Sequence, residues 1–215
     1  MPIKTGEQYR QSLRDGRKLY VDGALVEDVT ACPSMQGVIG TIAALYDDQY
    51  NPAYRDILTY TSPSSGERVS KTYLDAKTLD DLHGLAGCYH LRAMRTFGLM
   101  GRLTDFMSAF LVDTVIGLRA MGKPEAAARA QHIVELCREN DFQVTHALID
   151  PQTDRSKLDA PSQAVQLVER RADGIVVSGC RTLSTLAAVS NECYVGPYYP
   201  RKAGEEKFAL TFVIP

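Results

Sequence analysis

Apolar positions recur at helical spacing through most of the first 140 residues, and the period shortens to that of extended strands after Asp141. Residues 8–13 predict a short helical piece. Residues 19–26, LYVDGALV, alternate around Asp22-Gly23, a dipeptide suited to a tight hairpin turn. Met35, Val38, Ile39, Ile42, Leu45, Tyr46 and Gln49 then recur at helical spacing, after a Pro33 that fits a first turn. Residues 57–73 predict a second hairpin around SPSSGE. Thr78 with Asp80 and Asp81 supplies an N-cap and an acidic first turn for a helix to about Phe97, which Gly84 and Gly87 weaken. Residues 104–121 are apolar nearly all round, which predicts a buried helix. Pro124 opens another, with a stripe of Ala126, Ala130, Ile133, Val134 and Cys137 that ends near Asn140.

Residues 142–149, 164–171, 174–183, 192–198 and 207–214 then read as strands, with Asp173-Gly174 marking another tight turn. The pattern as a whole is α+β, with a mainly helical N-terminal domain over 1–140 and a β-rich domain over 141–215. The last predicted strand, KFALTFVIP, runs to the end of the sequence, and the expectation is that either it is central by topology or something else completes the fold.

Composition narrows the function without deciding it. The chain has 215 residues, 45% of them apolar, enough for a core in one large domain or two small ones. A net charge of −2 and a pI of about 6.1 argue against a nucleic-acid partner, which needs a basic excess. No apolar run is long enough to span a bilayer, and the opening MPIKTGEQYRQSLRDGRK has no apolar signal core, so a cytoplasmic location is expected. The five cysteines are scattered without a CxxC pair, which reads as reduced, buried thiols and gives no metal-ligand spacing.

Candidate chemistry concentrates in residues 144–156, VTHALIDPQTDRS. A short apolar run carries His146, a proline ends it, and Gln152, Asp154, Arg155 and Ser156 follow closely. A strand end bearing a titratable base and a cluster of hydrogen-bonding groups is a common way for a scaffold to present a site. By spacing alone, a structural histidine hydrogen-bonded on a strand is the commoner reading of His146, and a solvated loop explains Arg155 equally well. His83, His90 and His132 lie on predicted helices and suggest no chemistry.

Several segments together resemble the oxygenase component of 4-hydroxyphenylacetate 3-monooxygenase, a two-component flavin-dependent family. They are TGEQYRQSLRDGRKLYVDGALVEDVT, ALYDDQYNP, LTYTSPSSGERVS, FGLMGRLTDFM, CRENDFQVTHALIDPQTDRS, DGIVVSGCRTLSTLAA and FALTFVIP, in family order across nearly the whole chain. The resemblance implies an acyl-CoA-dehydrogenase-like architecture, a helical domain and then a β-barrel-like domain, without the large C-terminal helical domain that follows in the family. It implies reduced FAD delivered by a separate flavin reductase, oxygen transfer to a phenol-like substrate, and an oligomer in which a second polypeptide supplies the C-terminal half.

Residue by residue, His146 matches the histidine that contacts the phenol oxygen, and an imidazole with an ordinary pKa of ~6.5 can share that proton. Arg102 matches the arginine of the family's G-R-[ST]-P-D-Y motif, where a fixed guanidinium stabilises phenolate charge. Gln152 and Arg155 match the flavin-contacting turn, and Thr185 matches a threonine near the flavin ring. The chain also departs from the motif: Leu103 and Thr104 replace a small residue and a proline, and Phe106 stands where a tyrosine would give the substrate hydroxyl another hydrogen bond. That departure keeps open a non-catalytic binding or assembly protein that retains the fold. A fragment of a longer enzyme is a third possibility.

Overall fold

The computed structural model describes residues 2–98, 104–152 and 163–215, with backbone alone at 104 and 105. Two compact units emerge. The first is Met1–Val144 together with Ala188–Asn191; the second is Thr145–Ala187 with Glu192–Pro215.

In the first unit, α1 (Gly6–Ser12) starts at a capping box in which the Thr5 hydroxyl accepts from the Gln8 backbone and the Gln8 side chain accepts from the Thr5 N–H. It packs on α2 (Pro33–Asp48) with almost no clearance. The Gly6 N–H donates to Asp47 Oδ1 at 2.7 Å, and a Cβ at position 6 would stand 2.6 Å from the Ala43 carbonyl oxygen. Tyr9 and Tyr46 stack at 4.9 Å within this core. Between the two helices, β1 (Leu19–Val21) and β2 (Ala24–Val26) form the expected hairpin, with Asp22 and Gly23 at φ 51° and 81° as a mirror-image turn requires.

After the short α3 (Arg55–Leu58), β3 (Thr59–Thr61) and β4 (Arg68–Ser70) make the second expected hairpin. The third long pattern becomes α4 (Leu79–Arg95), whose capping box joins Thr78 and Asp81. α5 (Thr104–Ala120) and α6 (Pro124–Glu139) pack on each other. The expectation that α5 is buried all round is not met, because Phe106 and Ile116 are exposed while Met107, Leu111 and Val115 are buried. Its neighbours, α6 and the 3-10 turn Lys71–Tyr73, lie on its buried side.

The segment Ala188–Asn191 returns to the first unit through backbone chemistry that no hydrophobic pattern announces. Tyr9 donates its hydroxyl to the Val189 carbonyl at 2.8 Å, and Arg17 donates to the carbonyls of Ala188 and Ser190. Asn191 exchanges hydrogen bonds with Gln143 and donates to Ser12.

The second unit is sheet with irregular connections. β5 (Val144–Ala147), β8 (Glu192–Val195) and β9 (Phe212–Ile214) form a three-stranded sheet in the order β5-β8-β9. β6 (Gln166–Arg171) and β7 (Gly174–Ser178) form a separate hairpin with a bulge between Leu167 and Glu169. Arg171 pairs with Gly174, so the turn is Ala172-Asp173, one residue earlier than the sequence suggested. The chain is mixed helix and sheet, but the strands among the described residues do not close into a barrel. Beyond the hairpin, the bridges Ile149–Thr182 and Ala164–Cys180 stay isolated, and Gly179 (φ 126°) and Leu183 (φ 59°) turn the backbone out of register beside them.

Among the described residues, no helix is long and apolar enough to cross a membrane.

Candidate functional site

β5 buries Val144, Thr145 and Ala147 and leaves His146 half-buried. Thr145, its immediate neighbour, donates its hydroxyl to the backbone carbonyl of Thr185. Three residues earlier the Thr182 N–H donates to the Ile149 carbonyl at 2.9 Å. These bonds lay the segment around Thr185 alongside the strand that carries His146, so the second unit brings two of the expected site segments together. The Thr185 side chain itself is exposed.

Thr185 is flanked by backbone strain. Leu183 and Leu186 both adopt left-handed conformations, φ 59° and 67°, which bulky side chains disfavour by about 1 kcal/mol or more each. A sequence pattern of LSTLAA gives no hint of this, since leucine is not a residue that seeks positive φ.

Following β5, Asp150 is gripped from two directions. Arg181 Nη1 contacts Asp150 Oδ1, and Arg201 Nη2 donates to Asp150 Oδ2 at 2.7 Å. Burial and the neighbouring Arg201 push the Arg181 pKa down, though a guanidinium keeps its proton in proteins. Sequence reasoning missed this cluster altogether: residues 150, 181 and 201 share no spacing, and only the fold makes them neighbours. Next to Asp150, Pro151 and an exposed Gln152 line a cleft of about 370 Å³ with Leu148, Ile149, Tyr198 and Tyr199.

The other expected site residues divide differently. Phe106 belongs to the first unit, is 45% exposed near the start of α5, and stacks on Phe110 at 6.5 Å. Arg102, Leu103 and Arg155 lie outside the described residues. His83, His90 and His132 are exposed on α4 and α6.

A solved oxygenase component (HpaB) of 4-hydroxyphenylacetate 3-monooxygenase, complexed with FAD and 4-hydroxyphenylacetate, superposes with a TM-score of 0.88 at 33% identity, covering 99% of this chain and 44% of that one. An archaeal 4-hydroxybutyryl-CoA dehydratase from N. maritimus shares the fold alone, with a TM-score of 0.83 at 22% identity.

The chain belongs to the family described as 4-hydroxyphenylacetate 3-hydroxylase N terminal, which matches residues 5–215. Relatives named 4-hydroxyphenylacetate 3-monooxygenase oxygenase component are 37% identical in Geobacillus sp. (100% of this chain, 45% of the relative) and 34% identical in Thermus thermophilus (99% and 44%). The chain therefore spans less than half the length of these curated relatives.

Proposed function

We propose that residues 1–215 form the N-terminal and middle portion of a flavin-dependent monooxygenase that hydroxylates a phenol-like aromatic substrate with reduced FAD and O2. The family match over residues 5–215 carries the reading. The Thr145–Thr185 hydrogen bond, which sets the His146 strand beside the Thr185 segment, supports it.

The described residues fit a flavin: Gln152 offers an exposed amide in a cleft wall and Thr185 an exposed hydroxyl, both able to bond ring carbonyls and nitrogens. In this reading Gln152, Arg155 and Thr185 hold the cofactor. Reduced FAD, when bound, supplies the oxygen-activating chemistry. His146 accepts or shares the phenol proton, Arg102 stabilises the charge left on the phenol oxygen, and Phe106 lies against the substrate ring.

The proposal divides the chain into a mainly helical domain to about residue 140 and a β-rich domain after it. A separate reductase delivers the reduced flavin in the cytoplasm. The C-terminal helical half of the family fold comes from outside residues 1–215, from a second polypeptide in a hetero-oligomer or from a longer form of the chain.

The test combines the chain with such a C-terminal half. Alone, residues 1–215 should bind FAD weakly; together, the halves should bind FAD and hydroxylate a phenol, and His146→Ala should lower the rate roughly 10²-fold or more. Tight FAD binding by the isolated chain would count against a divided site.

A second reading, a non-catalytic binding or assembly protein, is favoured by Phe106, which offers no hydroxyl at the motif's tyrosine position. A stable complex that never binds flavin would support it, and measurable hydroxylation would sink it.

A further inference from the structure

The first unit holds a cavity of about 260 Å³ that contains none of the residues of the hydroxylase reading. Buried Val112 and Val115 of α5 form one wall, and buried Val134 of α6 forms the next. Leu74, just after the Lys71–Tyr73 turn, adds another aliphatic side chain. The β3–β4 hairpin closes the space with Thr61 and Pro63.

Among the described residues, the charged side chains lining this cavity are Asp75 and Arg138, and each already has a partner. Lys77 Nζ stands 2.7 Å from Asp75 Oδ1. Arg138, its side chain 4% exposed, donates from Nε to Glu139 Oε1 and from Nη2 to Ser64 Oγ, both at 2.7 Å. The neutral polar groups are engaged as well. The Gln131 amide accepts from Arg119 and donates to Glu135, and the Tyr60 hydroxyl donates to the Tyr73 carbonyl. An ion entering this space would give up its water for groups that are already paired, whereas a neutral apolar molecule needs no partner.

One wall is strapped in place. Ser62 and Ser65 donate their hydroxyls to the two oxygens of the Glu139 carboxylate, each at 2.6 Å, and Ser64 accepts from Arg138. These bonds tie the hairpin wall of Thr61 and Pro63 to the α6 wall of Val134 and Arg138. The other walls are held by packing, α5 against α6 and against the Lys71–Tyr73 turn. Side-chain hydrogen bonds at the surface break more readily than packed helices separate, so the hairpin turn is the wall that can open.

We propose that this cavity binds a small neutral apolar molecule, and that the turn at residues 62–66, strapped to Arg138 and Glu139, is the door through which the molecule enters and leaves. The proposal goes beyond the hydroxylase reading and holds or fails without any flavin.

The experiment uses the full chain and three probes that share one carbon chain: hexanol, hexanoate and hexylammonium. Binding is followed through methyl signals in proton–carbon correlation spectra. Hexanol should shift the methyls of Val112, Val115 and Val134 and leave those of Ile149, in the second unit, unmoved. Each ion should bind roughly tenfold more weakly or worse, as burial of a charge without a free partner requires. Val112→Phe fills the space, so it should abolish hexanol binding without lowering the midpoint of chemical denaturation, whereas a site with no room would be destabilised by the same change. The double variant Ser62→Ala with Ser65→Ala should speed hexanol release roughly fivefold, the scale of one lost hydrogen bond, with little change in affinity.

No shift at the three valines, ions that bind as well as hexanol, or a Val112→Phe variant that loses stability as an overpacked core does would overturn the site. Hexanol release at the wild-type rate in the serine double variant would overturn the door.

Discussion

In the first unit Asp141 is buried among neutral donors: the Lys4 backbone N–H reaches its carboxylate at 2.9 Å and the Gln49 amide at 2.8 Å. Burial raises its pKa, and the hydrogen bonds together with the nearby charges of Lys4 and Arg92 only partly counter that. In the second unit Asp150 is half-exposed and gripped by two guanidinium groups. The contrast separates two uses of a carboxylate. Asp141 ties the N-terminal segment, α2 and the end of α6 into one knot, and its own charge is a liability there. Asp150 is over-paired, one carboxylate held by two guanidinium groups at once.

The sharpest way to break this comparison is Asp150→Asn. It leaves the Arg181 charge buried without a counter-charge, at a cost of about 3 kcal/mol, read from the midpoint of chemical denaturation. Arg181→Met should cost less, because Arg201 still pairs with Asp150. If Asp150→Asn behaves like an ordinary surface substitution, within about 0.5 kcal/mol, the cluster is not a true ion-pair network.

Backbone strain offers the next test, again across the two units. Gly179 (φ 126°) leaves no room for a side chain: a Cβ would stand 2.4 Å from the Ala164 carbonyl oxygen. Gly66 of the first unit also has positive φ, 74°, but nothing lies within 4 Å of its Cβ position. Gly179→Ala should therefore cost about 2–3 kcal/mol and Gly66→Ala about 1 kcal/mol, the difference being steric clash rather than conformation. Thr145→Val comes below these. It removes the hydroxyl bonded to the Thr185 carbonyl, at a cost of about 1 kcal/mol, and hydrogen exchange should quicken around Thr185 while α2 is unaffected.

The same contrast explains what was legible in the sequence. Helices and hairpins of the first unit follow from local rules: Thr5 and Thr78 cap, Pro33 and Pro124 open helices, and Asp22-Gly23 turns. The second unit depends on long-range pairing. His146 on a strand and Gln152 beyond a proline were readable from local order. The grip on Asp150 was not, because Arg181 and Arg201 come from separate loops. The left-handed leucines around Thr185 were not either, since their residue type argues against that conformation. The exposed face of α5 was missed for a related reason: an apolar helix surface does not say which of its sides is covered within residues 1–215.

Asp141→Asn gives the smallest effect and the most diagnostic one. Asp141 sits at φ 45°, a conformation that asparagine tolerates well, and an Asn side-chain oxygen can still accept from Lys4 or Gln49. The substitution removes a buried charge, so at neutral pH it should change stability by about 1 kcal/mol or less, in either direction, because the nearby Lys4 ammonium loses the opposing charge. The pH dependence decides the matter. A carboxyl whose pKa is raised on folding binds its proton more tightly in the native state, so its contribution is fully present below the ordinary carboxylate pKa. That contribution is lost as pH rises through the elevated native value. Wild-type stability should accordingly carry a component that falls with rising pH across this window, and Asp141→Asn should lack it. Denaturation midpoints measured from pH 4 upward in both proteins give the difference curve directly. A difference that instead grows in favour of the wild type as pH rises would mean that the hydrogen bonds and the Lys4 charge win over burial, making Asp141 an ion-paired group like Asp150.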